Sequence, residues 1–90
     1  SKELRALVDA LKKDDWDAFD KVYNSKVKEL RDGKDHSQFY DSFKSLFLEN
    51  KLEYGNQIAL LALLREANTK DSLNQLFELY DENIITDNDV

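Results

Sequence analysis

The chain has 90 residues, with 13 Lys or Arg, 19 Asp or Glu, one His, two Gly and no Pro, Cys or Met. That is one domain with one small core, since at this length folding removes only roughly 60–65% of the chain's surface from water, too little for a deep, lidded substrate cavity. Without cysteine there is no disulfide, no thiolate zinc site and no cysteine nucleophile, so the core alone supplies stability.

Apolar residues recur at threes and fours along nearly the whole chain, and no stretch keeps the alternation of a half-buried strand. The predicted fold is all-α, a compact bundle of about five short helices around a central apolar helix at about 54–67, with a single domain over 1–85 and a frayed acidic tail over 86–90. Ser1 caps a first helix whose stripe is Leu4, Leu7, Val8 and Leu11, ending near Lys13. Asp14 or Asp15 caps a second, with Trp16, Phe19, Tyr23, Val27 and Leu30 inward and Val22 beside them, stopped by Gly33. Asp35 and Gln38 form a capping-box pattern opening a third helix with Phe39, Phe43, Leu46 and Phe47 inward and Asn50 as its stop. A fourth helix, from about Leu52 or Asn56 to Ala67, is apolar on every side through Ile58–Leu64, the mark of a buried central helix. Thr69 or Asp71 caps a fifth, with Leu73, Leu76, Phe77, Tyr80 and Ile84 inward and the chain fraying from Ile85.

Sliding the chain against itself by 57 positions sets Trp16, Phe19 and Tyr23 on Leu73, Leu76 and Tyr80. Both segments read as helix, charged turn, helix, a resemblance that any two capped helical hairpins share.

Residues that could carry chemistry are few. His36 is the one side chain with an ordinary pKa near neutrality, flanked by Asp35 and Ser37, but adjacent residues at a helix start point apart, and no strand-turn-helix setting for a nucleophile is visible. Asp32, Asp35 and His36 lack the ligand spacing of a known metal loop, and the run from Asp87 to Val90 stops before the glycine and glutamate of a calcium loop. The expectation is no metal and no cofactor, and a protein that is not an enzyme. Asp14, Asp15, Asp17 and Asp20 open the second helix while Lys26, Lys28 and Arg31 close it, the arrangement its dipole favours. The basic residues of the first two helices interleave with acids and have no aromatic track or glycine-rich loop beside them, so nucleic acid is not the expected partner.

The C-terminal acids differ from these. Residues 71–90 hold Asp71, Glu78, Asp81, Glu82, Asp87 and Asp89 with no Lys or Arg, while residues 1–70 hold 13 of each sign, so the whole formal charge of −6 lies at one end. Asp81 and Glu82 sit where the dipole of the fifth helix disfavours them, with no base following. Four Tyr and one Trp are generous for this length, and interfaces enrich both. Off the inward stripes lie Tyr40, Leu48, Tyr54, Leu79 and Ile85, the candidate apolar contacts. With Asp81, Glu82, Asp87 and Asp89 they make the expected partner-binding set. The expected function is a small acidic protein-protein interaction module of inhibitor, immunity or adaptor type, whose partner presents a basic surface. The alternative is a structural or homo-oligomerising piece of a larger assembly. The longest apolar run is seven residues, against ~20 for a membrane span, and Ser1-Lys2-Glu3-Leu4 does not open a signal peptide. A soluble, cytoplasmic protein with no membrane contact is expected.

Overall fold

The computed structural model describes residues 1–85. Five helices follow in order: α1 (Lys2–Lys12), α2 (Trp16–Leu30), α3 (Ser37–Leu48), α4 (Tyr54–Ala67) and α5 (Lys70–Asp81), with no strand among the described residues. Three of the five starts carry a side-chain cap. The Ser1 hydroxyl accepts from the Leu4 amide at 3.3 Å, and the Asp15 carboxylate from the Ala18 amide at 3.1 Å. Thr69 and Ser72 cap α5 reciprocally, each side-chain oxygen accepting from the other's amide at 3.0 and 2.9 Å. The box expected at Asp35 and Gln38 does not form. His36 is the N-cap of α3 and makes no side-chain cap, while the Asp35 carboxylate accepts from the Ser37 amide two residues on, at 2.9 Å. An Asx turn has taken the place of the box.

The helix stops are made by Asp and Asn rather than Gly. Asp14, Asn50, Asn68 and Asn83 all adopt left-handed backbone, with φ between 52 and 60°. After α1 the Asp15 amide bonds Ala10 O and the Asp14 amide bonds Leu11 O. After α5 the Ile84 amide bonds Leu79 O and the Asn83 amide bonds Tyr80 O. Both are Schellman closures, the second of which turns Ile84 and Ile85 back onto the core. Gly33 is also left-handed, but it lies three residues beyond Leu30, in the loop, and does not stop α2 as expected. Asn50→Ala is expected to cost about 1 kcal/mol, and Asn50→Gly to be neutral or stabilising, because only Ala pays the β-carbon penalty of left-handed backbone; the two urea midpoints check it.

The principal packing runs in a closed circuit, α1 on α2, α2 on α4, α4 on α5, α5 on α3 and α3 on α1. Leu7, Phe43, Leu60, Leu63, Leu64 and Leu79 are fully enclosed, and α4, which points leucines to more than one neighbour, is the most deeply buried helix. Phe39, Phe43 and Phe47 continue the core along α3 with ring centroids 6.0 and 5.0 Å apart. Arg31 joins the C-terminal ends of α2 and α4: its Nε donates to Ala67 O at 3.0 Å and its Nη2 donates to Glu66 O. The guanidinium thus meets carbonyls that α4 cannot satisfy itself. The caps of the two helical hairpins correspond at an offset of 54, Asp15 with Thr69 and Asp14 with Asn68, rather than at 57.

Candidate functional site

Helix α5 carries more apolar surface than the bundle can cover. Its buried face is Ser72, Gln75, Leu76 and Leu79. At 100° per residue, Leu73, Phe77 and Tyr80 fall together on one flank, while Asp71, Glu78 and Glu82 fall on the other. Phe77 is 57% exposed and Tyr80 38%, and Leu73 is half-buried. The expected inward stripe of Leu73, Phe77 and Tyr80 is therefore corrected: the helix sits about one residue's turn away from it. The cause lies at both ends. Ser72 is drawn inside by the reciprocal cap with Thr69, and the closure after Tyr80 brings Leu79, Ile84 and Ile85 onto the core.

Other expected contacts also differ in the structure. Leu79 and Ile85, expected at the surface, are buried, and so is Tyr40. Tyr40 is enclosed because α3 packs against both α1 and α5 and needs a wider apolar face than one stripe. Leu48 and Tyr54 are exposed as expected, and Trp16, expected inside, is 49% exposed at the first turn of α2, edge-on to Phe19 at 5.4 Å. Asp87 and Asp89 lie outside the described residues.

Glu82 is not the uncompensated charge expected at this helix end. Lys44 of α3 donates to Glu78 at 2.6 Å and to Glu82 at 2.7 Å, clasping α3 to α5. Asp81, one position before Glu82, is exposed and takes no part in the clasp. The Lys44 ammonium, by hydrogen bond first and by charge second, holds the Glu78 carboxyl below its ordinary 4.5. Backbone amides do the same for Asp32 and Asp35, with His36 assisting at both and the Ser37 side chain at Asp35. A carboxyl depressed in the folded state contributes stability above its unfolded pKa and loses it as pH falls through the folded value. Stability is thus expected to decline on acidification below about pH 4.5, from the ordinary values of 4.5 and 3.8 for these groups. In Lys44→Met the Glu78 carboxyl should titrate closer to its ordinary value; side-chain NMR titration reads this directly, and an unmoved Glu78 would remove the clasp.

Two other polar groupings stand apart from α5. Lys26 is buried, its ammonium 3.1 Å from Glu29, 3.9 Å from Glu3 and 4.8 Å from the centre of the Phe39 ring. Sequence reasoning placed it on the polar face as a dipole partner. The missed signal is its position: Tyr23, Lys26, Val27 and Leu30 share one stripe, so a lysine there must bury its stem and find anions at its tip. The His36 ring bonds Asp32 through Nε2 at 2.8 Å, closing the loop between α2 and α3 around Gly33. Among the described residues no group of three His, Asp or Glu is placed to hold a metal, and no helix is long and apolar enough to cross a membrane. No family model, curated protein or solved structure matches the chain.

Proposed function

We propose that the chain is a small acidic, non-enzymatic module that binds another protein through α5, the partner offering a basic surface with apolar contacts. The observation that carries this reading is the Leu73–Phe77–Tyr80 flank, with the Phe77 ring mostly in water and Tyr80 partly so, on the helix that begins the charged end of the chain. Large aromatics with a polar tip are the residues that anchor interfaces, and acids around them steer and select a basic partner. The flank's neighbours support the sign of the partner's charge: Asp81 is exposed beside it, and residues 71–90 contain no base.

The reading is tested by immobilising the full chain and recovering proteins from a lysate of its own source at low and at high salt. Recovery of a basic protein that fades as salt rises is expected, because screening shortens the reach of exposed charges to ~10 Å at 0.1 M and less above it. Recovery of an acidic partner, or retention indifferent to salt, would contradict the electrostatic part. Light scattering across concentration tests the competing occupant. Mass that grows with concentration, and ceases to grow in Phe77→Ser, would assign the flank to a second copy and overturn the partner reading.

A further inference from the structure

Helices α4 and α5 are joined through Asn68 and Thr69 alone and pack on each other, an antiparallel hairpin. Counted from that turn, Ala62 comes level between Leu73 and Phe77, and Ile58 comes level with Tyr80. At 100° per residue, Tyr54, Ile58 and Ala62 form a stripe on the side of α4 away from the enclosed Leu60, Leu63 and Leu64. The other sides of the hairpin are taken: α3 holds α5 through Lys44 on Glu78 and Glu82, and α2 meets α4 at Glu66, whose carboxyl bears on the Tyr23 phenol. The Tyr54 stripe and the Leu73–Phe77–Tyr80 flank therefore border one outward-facing seam.

Packing singles out the same seam independently of helix geometry. Among the described residues, Ile58, Ala62 and Leu73 are half-buried yet do not pack against the core, as the half-buried Val22, Leu46, Ala59 and Ile84 do. Beside them Tyr54 and Phe77 are mostly exposed and Tyr80 partly so. Apolar side chains thus gather along about 12 Å of surface from Tyr54 to Ala62, at 1.5 Å per residue, where the fold has no use for them. Gathered in one place, such residues mark a contact surface; scattered singly they would not.

The chemistry of the seam decides what can lie in it. An extended segment laid on side chains would leave its backbone N–H and C=O groups without partners, whereas a helix satisfies its own and seats its ridge in the groove between two others. Charge decides the sign of that helix. Away from the turn the seam ends between Glu53 and Asp81, both exposed, while the bases of α4 and α5, Arg65 and Lys70, stand beside the turn. A second copy of the chain brings its own formal charge of −6 and is repelled. We infer that the seam between α4 and α5 seats an amphipathic helix of the partner protein, its apolar stripe on Ile58, Ala62, Leu73 and Phe77 and its basic end beside Glu53 and Asp81. This rests on the reading of the chain as a protein-binding module and adds the form of the partner's contact and the share that α4 takes in it.

The test uses the full chain and a synthetic probe, so its failure is separate from that of the lysate experiment. A ~16-residue helical peptide of Ala and Gln, with leucines at i, i+4 and i+7 and lysines at one end, is titrated into the ¹⁵N-labelled protein. Saturable shifts of the Ile58, Ala62, Leu73 and Phe77 amides are expected, with weaker binding when glutamates replace the lysines and none when Gln replaces the leucines. Ala62→Glu, which fills the seam with a charged side chain, should weaken binding about tenfold. Ala62 lies outside the core and Glu is a good helix former, so the urea midpoint should hold; Ile58→Gln, equally outside the core, is the second variant and should weaken binding in the same direction. Loss of binding in Phe77→Ser with none in Ala62→Glu or Ile58→Gln would confine the contact to α5, overturning the inference and leaving the α5 reading in place. No saturable binding, or equal binding by either control peptide, would overturn it as well.

Discussion

Phe43→Ala is expected to cost about 3–5 kcal/mol, the range for removing a fully buried ring and leaving the space unfilled. Phe43 has no exposed surface and lies between Phe39 and Phe47, 5.0 Å from the latter in a stacked pair. Neither neighbour can close the gap without giving up its own contact with the core. Domains of this kind are stable by about 5–15 kcal/mol in all, so the loss is a large share of the total. Urea denaturation, with the slope unchanged and the midpoint lowered, is the check. The same chemical deletion in Phe77→Ala should move stability by less than about 1 kcal/mol, because its ring is 57% exposed. Equal costs at the two sites would mean that α5 is rotated from the orientation described.

The second large effect is on binding. Phe77→Ser should leave the midpoint of unfolding nearly unchanged while weakening the partner on the order of thirtyfold, as expected when an aromatic anchor at the centre of an interface is lost. The pairing of the two readouts matters. A variant that loses both stability and binding would point to Phe77 as part of the fold, whereas loss of binding alone belongs to a surface used for contact. Changing Lys21→Ser, an exposed residue on α2, is the control and should alter neither.

The five helices, and the starts of the first, second and fifth, were legible because their causes are local. Ser1, Asp15 and Thr69 each cap within three residues, and the all-round apolar run of α4 has no stable place outside a core. The face that α5 turns inward was not legible. Leu76 and Leu79 make one helical stripe and Leu73, Phe77 and Tyr80 another, and spacing alone favours the larger residues. The choice is made by the Thr69 and Ser72 cap and by the left-handed turn at Asn83, which fix how the helix is set down. Tyr40 shows the same limit, since only a helix packed on two sides buries both Phe39 and Tyr40. The Lys44 clasp joins residues 34 and 38 positions apart in sequence, beyond any local pattern. The aromatic and acidic character of the candidate site was readable in composition; its address on the surface was not.

The most direct test of α5 as the working surface is photo-crosslinking from single positions. A benzoylphenylalanine replaces Phe77 in one protein and Lys21, exposed on α2, in another, and each is irradiated in the same lysate and its adduct identified by mass spectrometry. A basic protein joined through position 77 and absent from position 21 is the predicted result. Adducts formed from position 21 alone, or the same adducts from both, would contradict it.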